Sequence, residues 1–287
     1  MRTAFIIVLS AALLSFSYVC AQTYTPVGAR SAAMGNASAA LSDLWSVNNN
    51  QSGLAGLSQI AAGLAYENRF LVKELGLKSF ALAIPTNTGT FGVSFNSFGF
   101  ADYSEMKTGL AFGKKFGKVF SAGLQLDYLR THIAESYGNS DAFTFEVGVR
   151  TELTKQFTIA AHVFNPIHVQ IQNETNDRVP VIFKLGMAYE VAEGLLLAVE
   201  TEKNSDFKPL LRGGMEYAII EKAAVRIGYS TLPSTSGSDG FSIASALSFG
   251  FGLNLKNFLL DLSSSYHQTL GWSPTISMVY NFRKIEK

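Results

Sequence analysis

Cysteine is nearly absent: Cys20 is the only one in 287 residues. It sits at the end of MRTAFIIVLSAALLSFSYVCAQ, where Arg2 is a positive start, Ala4 to Leu14 an apolar core and Val19-Cys20-Ala21 a small-residue step. That pattern predicts a secretory signal peptide over residues 1–21, cut after Ala21. Tyr18 and Val19 stand where a lipoprotein signal needs small residues. The mature chain then lacks cysteine, which excludes a disulfide framework and thiolate metal sites. Charge of one sign is lacking too. The 23 basic and 22 acidic residues leave a formal charge of +1 with no Lys/Arg run, which argues against a nucleic-acid partner. Beyond the leader, no apolar run reaches the roughly 18 residues of a membrane-spanning helix.

Recognisable catalytic motifs are missing as well. The four histidines, His132, His162, His168 and His267, show no paired spacing around a glutamate, so a zinc-protease site is not expected. There is neither a phosphate-binding G-x-x-x-x-G-K-[ST] nor a G-x-S-x-G nucleophile elbow. Ser263, Ser264, Ser265 and His267 cluster near a strand end, but serines along one strand do not make a nucleophile–base pair. The expectation is no catalytic residue, no metal and no cofactor.

What is present is glycine (25), phenylalanine (22) and tyrosine (11), a balance that favours strands. From about residue 58 the chain alternates. In VFSAGLQLDYLRT (119–131), Phe120, Ala122, Leu124, Leu126 and Tyr128 share one face, and Gly123, Gln125 and Asp127 the other. DAFTFEVGVR (141–150) sets Phe143, Phe145, Val147 and Val149 against Thr144, Glu146, Gly148 and Arg150. Fourteen such segments follow one another, among them 104–113, 157–164 and 241–255, most of them near the length a tilted strand needs to cross a bilayer. Short connections (86–89, 114–118, 151–156, 191–194) alternate with longer ones (68–75, 132–140, 165–179, 231–240, 267–273), 101–103 being the exception. A soluble sandwich has no reason for that parity, whereas a membrane barrel keeps short turns on the periplasmic side and longer loops outside. Tyrosines 66, 128, 189, 217, 229, 266 and 280 fall near strand ends, where an aromatic girdle sits.

The predicted fold is therefore all-β: a 14-stranded antiparallel transmembrane β-barrel over residues 58–282, with a tail at 283–287. Its second face would line the lumen with Gln125, Asp127, Glu146, Arg150, His162, Lys184, Glu200, Glu202, Arg212, Glu216, Arg226 and Asp261, a near-balanced set that reads as a mutually neutralising network. Gly148, Gly186, Gly214, Gly228, Gly250 and Gly252 recur on that face and leave room for something inside. About eight strands make a lumen that side chains fill, and roughly sixteen to eighteen leave a channel. Fourteen needs a filler, and the candidate is the N-terminal segment 22–57. Ala37, Ala40, Leu41 and Leu44, at helical spacing, predict a short helix there, ended by Asn48, Asn49 and Asn50.

That segment carries a resemblance. G-A-R-S-A-A-M-G at 28–35 followed by N-Q-S-G-L at 50–54 resembles the N-terminus of FadL/PorV-like outer-membrane barrels, which read G-A-R-x-x-x-M-G-G…N-P-A-G-L. Later stretches such as P-V-I-F-K-L-G-M-A-Y (180–189), G-G-M-E-Y (213–217) and V-R-I-G-Y (225–229) agree. The resemblance implies a fourteen-stranded barrel in the outer membrane of a Gram-negative cell, with the N-terminal segment as a plug or hatch. Residues Gly28, Arg30, Met34, Gly35, Leu41, Leu44, Trp45, Asn49, Asn50, Gly53 and Leu54 would form it. Gln51, Ser52 and Asn36 depart from the family pattern, and the outer loops are short. Short loops favour the PorV/PorQ-like group of Bacteroidota, accessory components of type IX-like secretion that bind secretion-system or surface proteins. The alternative implied is a FadL-like transporter of fatty acids or another hydrophobic small molecule. Either would be surrounded by outer-membrane lipid.

Overall fold

The computed structural model describes residues 24–134, 138–170, 178–205, 208–231 and 245–282. The expected signal peptide and the 283–287 tail lie outside the described residues, as do parts of the 132–140, 165–179 and 231–240 connections. The strands are β1 (Ala61–Asn68), β2 (Gly76–Pro85), β3 (Thr90–Gly99), β4 (Tyr103–Phe116), β5 (Phe120–Ile133), β6 (Gly138–Glu152) and β7 (Phe157–Phe164). They continue as β8 (Ile182–Ala192), β9 (Leu195–Asn204), β10 (Leu210–Ile220), β11 (Ala223–Thr231), β12 (Ser245–Leu255), β13 (Phe258–His267) and β14 (Gly271–Asn281). All fourteen pair antiparallel with their chain neighbours, and β1 closes the barrel on β14 through Ala61 opposite Asn281. Closure leaves no strand of the ring as a sheet edge.

Alternation decides the two faces. Leu64, Phe91, Leu110, Leu126, Phe143, Leu185, Ile227, Phe249 and Met278 are exposed on the outside, while Ser94, Gln125, Glu146, Lys184, Glu200 and Ser277 are buried within. Strands β4 to β6 run longer than their apolar alternation indicates (104–113 and 141–150 in the sequence). Their ladders continue through polar ends, with Tyr103 opposite Ile133 and Ile133 opposite Gly138. At the rim holding the start of β1 and the end of β14, connections are short, such as 193–194, 221–222 and 256–257. At the far rim they reach 165–181, but 268–270 joins 100–102 as a short one. That turn is tight because the His267 Nδ1 accepts from the Thr269 and Leu270 amides, and Gly271 takes φ 89. Beyond Glu146, β6 has no β7 partner. Asn165 occupies the gap: its N–H donates to the Phe145 carbonyl and its side-chain oxygen accepts from Thr144 at 2.8 Å.

Residues 24–57 run through the lumen from the far rim to the rim where β1 starts. Tyr24 lies 4.6 Å from the Phe164 ring and Thr25 accepts from Arg69, both at the far rim. From there the segment passes glycines of β1, β3, β4, β5, β6, β8, β10, β11 and β12 at distances that leave little or no room for a Cβ. Contact with strands on every side of a closed ring places it inside. Leu44, Trp45, Val47 and Leu54 pack with Ala61, Ala81, Ala83, Ala111 and Val279 into the main apolar cluster.

The helix expected over 37–44 is absent. Short helices form instead at Ala29–Ala33 and Ser46–Asn49, followed by a 3-10 turn at Gln51–Gly56. Gly35 and Asn36 take left-handed backbone (φ 64 and 65), and the Ser38 and Ala39 amides donate to Glu200 on the wall rather than up a helix. Asn tolerates that conformation better than other residues with side chains, which is how Asn36 can occupy this position. Asn48 and Asn49 therefore lie within a helix, and Asn50 caps the 3-10 turn by accepting from Ser52. The wall is packed against backbone here: a Cβ on Gly228 would meet the backbone of Met34 and Gly35, whereas Gly213 faces ordinary contact. We expect Gly228→Ala to cost about 1–3 kcal/mol and to weaken the heat-modifiable folded band on gels, and Gly213→Ala to leave it intact.

Candidate functional site

Three wall glutamates hold the lumen segment, and each also faces a base from the wall. Glu216 on β10 accepts from Arg30 Nε at 2.8 Å and Nη2 at 2.7 Å, a two-pronged carboxylate contact. Arg226 on β11 donates to the same glutamate and, at 2.6 Å, to Asp261 on β13. The third edge of Arg30 donates to Asp43 within the segment at 3.1 Å. The two carboxylates compensate the Arg30 charge within the lumen.

Glu200 on β9 accepts from the Ser38 and Ala39 amides at 2.9 and 2.8 Å through one oxygen, and from Arg212 of β10 at 3.0 Å through the other. Arg212 also pairs with Glu202 at 2.8 Å, and Lys184 stands 4.0 Å from Glu202. Glu146 on β6 is fully buried. It accepts from the Gln51 amide at 2.6 Å, faces His162 Nε2 at 2.8 Å and pairs with Lys107 of β4. The carboxylate opposite fixes the His162 proton on Nε2. Asp127 accepts from Gln125 at 2.8 Å and lies 3.8 Å from Lys107. Arg150 donates to the Ala40 carbonyl at 3.2 Å and to Glu152 at 2.6 Å.

Within the segment, Asn49 pins the incoming strand by accepting from the Val27 amide at 2.8 Å and donating to its carbonyl at 3.1 Å. Asn50 donates to the Ala39 carbonyl at 2.8 Å and lies against Gly148. Gly28, at φ 100, lies under Trp45, a close approach that no side chain permits. Met34 and Gly35 lie against Gly214 and Tyr229. Leu41 packs with Met34, Ala37 and Ala198, Leu54 and Leu44 belong to the main cluster, and the Gly53 carbonyl accepts from Ser42 at 2.7 Å. The structure thus brings Asp127, Glu146 and Gln51 into one group, Glu200, Arg212, Glu202 and Lys184 into a second, and Arg30, Glu216, Arg226 and Asp261 into a third. Arg150 lies outside these groups, on the Ala40 carbonyl and Glu152.

Lys107 escaped the sequence reading, although it balances Glu146 and Asp127. Its signal was legible: Glu105, Lys107, Gly109, Ala111 and Gly113 alternate with Met106, Thr108, Leu110 and Phe112. Arg69, Asn96 and Asn165 were missed because two of them sit at strand ends, where alternation fails, and Asn96 looks unremarkable beside Phe95. Asn96 donates to Asn48 at 2.7 Å. Among the described residues no group of histidines and carboxylates is arranged to hold a metal ion.

No family model matches the sequence, and no curated protein matches it either. Solved structures do match in fold. CymD, a monoaromatic hydrocarbon channel, superposes with a TM-score of 0.72 at 13% identity, covering 93% of this chain and 100% of that one. The toluene transporter TbuX of Ralstonia pickettii gives 0.68 at 11% over 91% and 99%, and a FadL homologue of Pseudomonas aeruginosa gives 0.64 at 11% over 87% and 96%. The fold is FadL-like over nearly the whole chain. The PorV/PorQ subgroup finds no support in these matches.

Removing one member of a buried charge group leaves the others uncompensated, at about 3–5 kcal/mol. Glu146→Ala, which leaves Lys107 with Asp127 alone at 3.8 Å, is expected to lower the unfolding free energy read from the folded band in urea by that order. Lys115→Ala, on the exposed pair with Glu152, should shift it by about 1 kcal/mol or less.

Proposed function

We propose that the protein is a non-enzymatic outer-membrane barrel through which small hydrophobic molecules pass, with the N-terminal segment acting as its plug. The observation that carries this reading is the filled lumen: a FadL-like barrel whose own residues 24–57 occupy the passage and are held there by hydrogen bonds and three glutamate anchors rather than by covalent links. Supporting it, proteins of similar fold are described as hydrocarbon channels and toluene transporters. The apolar outer belt with Tyr66, Tyr189, Tyr217, Tyr229, Tyr266 and Trp272 exposed near strand ends supports a membrane setting. On this reading the rim where β1 starts faces the periplasm and the far rim faces outward.

A second reading is favoured by the far rim. Apart from 165–181 and 232–244 its connections are short, and the described ones hold only 3-10 turns at Arg69–Leu71 and Lys73–Leu75. A low rim suits a PorV/PorQ-like accessory of secretion that docks partner proteins. Pull-down from membranes tests it: recovery of secretion components supports it, and their absence counts against it.

Two measurements check the primary reading. Expressed in a host lacking hydrocarbon channels, the protein should raise the initial rate of radiolabelled toluene uptake several-fold over an empty vector; equal rates would refute passage. For orientation, Thr25→Cys should react with an impermeant maleimide in intact cells, and Ser58→Cys only after the outer membrane is permeabilised. The reverse pattern would invert the barrel.

A further inference from the structure

Ser265, from the serine cluster at 263–265, and its neighbour His267 take no part in the three anchors, yet they border a cavity of about 140 Å³ at the far rim. Its wall is a row of hydroxyls. Ser248, Ser265 and Ser273 lie directly opposite one another on three adjacent strands, and Ser230 of the next strand also faces the space. Its floor is the lumen segment, through Thr25, Ala32 and Asn36.

The remaining walls are held in place by specific contacts. Arg69, almost fully buried, pairs with Glu67 at 3.2 Å and donates to Thr25 at 2.6 Å. The Phe70 amide donates to Ser273 at 3.0 Å, and its ring meets His267 edge-on at 5.6 Å. His267 Nδ1 accepts two amides, so the ring carries its proton on Nε2. Phe70 and Leu71 both take left-handed backbone, φ 55 and 58, which is costly for side chains of that size and brings the Phe70 ring over the cavity.

We propose that this cavity binds a single neutral sugar ring. Charge argues for neutrality, because the one guanidinium and the one carboxylate on its wall neutralise each other. Ser248 already bonds Ala33 and Gly35, and Ser273 accepts from Phe70, which leaves Ser230, Ser265 and the Asn36 amide, groups that both donate and accept, to match a polyol. Phe70 supplies an apolar surface for the C–H face of a ring. The cavity holds on the order of ten waters, room for one sugar ring and not for an oligosaccharide. The site exists while the lumen segment is in place, because Thr25, Ala32 and Asn36 form its floor.

Equilibrium dialysis of the full-length protein, in a detergent without a sugar headgroup, against radiolabelled glucose, galactose and mannose tests the proposal. We expect saturable binding of at least one of them. Ser265→Leu, which removes a hydroxyl and fills the space, should weaken it roughly tenfold or more. Asn36→Gly, which removes the amide and keeps the left-handed backbone, should do the same. Heat-modifiable migration confirms folding; if Ser265→Leu fails that check, Asn36→Gly alone decides. Absence of saturable binding by all three sugars, or unchanged affinity in a folded variant, overturns the site.

Discussion

A closed wall of fourteen strands is too wide for its own side chains to fill, and its inner face carries carboxylates that cannot be buried without partners. The structure depends on how that constraint is met. Glu146, Glu200 and Glu216 each receive a donor from the lumen segment and a base from the wall. The glycines that line the lumen exist because the segment lies against the wall at backbone distance. Substituting the wall and removing the segment are therefore two forms of the same disruption.

The arrangement also bears on how the segment could move. If it withdrew, Glu200 would keep Arg212, Glu146 would keep Lys107 and His162, and Glu216 would keep Arg226. Arg30 would carry Asp43 with it. Withdrawal would then expose hydrogen-bond donors and the apolar cluster around Trp45 to whatever fills the lumen, but would leave no bare charge behind. Each wall glutamate would keep a basic partner, although Arg226 would then serve both Glu216 and Asp261. Asn49, by contrast, ties Val27 to the far end of the segment, so the first half and the second half are linked and would shift as a unit.

Much of this was legible in the sequence. Period-two alternation accounts for the strand count, because each strand has one lipid-like and one polar face and both leave a mark at every second residue; the parity of connections held less well, since 268–270 is short. The inward charges from Asp127 to Asp261 followed from the same rule. Alternation was silent where side-chain faces no longer matter: it stopped at 113 although the β4 ladder continues to Phe116. The short helix over 37–44 failed for a different reason. Its alanines and leucines do favour a helix, but tertiary contacts override them: Asn50 and Arg150 take the Ala39 and Ala40 carbonyls that such a helix would use. The Arg30–Glu216 contact spans 186 positions, and no local pattern announces a pairing at that separation.

The central claim is that the segment must move for cargo to pass. A Cβ at Gly186 would lie 3.2 Å from the Ala39 Cβ, close to the spacing a disulfide needs, and the mature chain as expected has no other cysteine. The double variant Ala39→Cys, Gly186→Cys therefore tethers the segment to β8 when oxidised. Toluene uptake by cells carrying it should fall to the empty-vector rate under oxidising conditions and recover on reduction, while each single variant is insensitive to redox state. Equal uptake by the oxidised and reduced protein, with the cross-link verified on gels, would contradict the account.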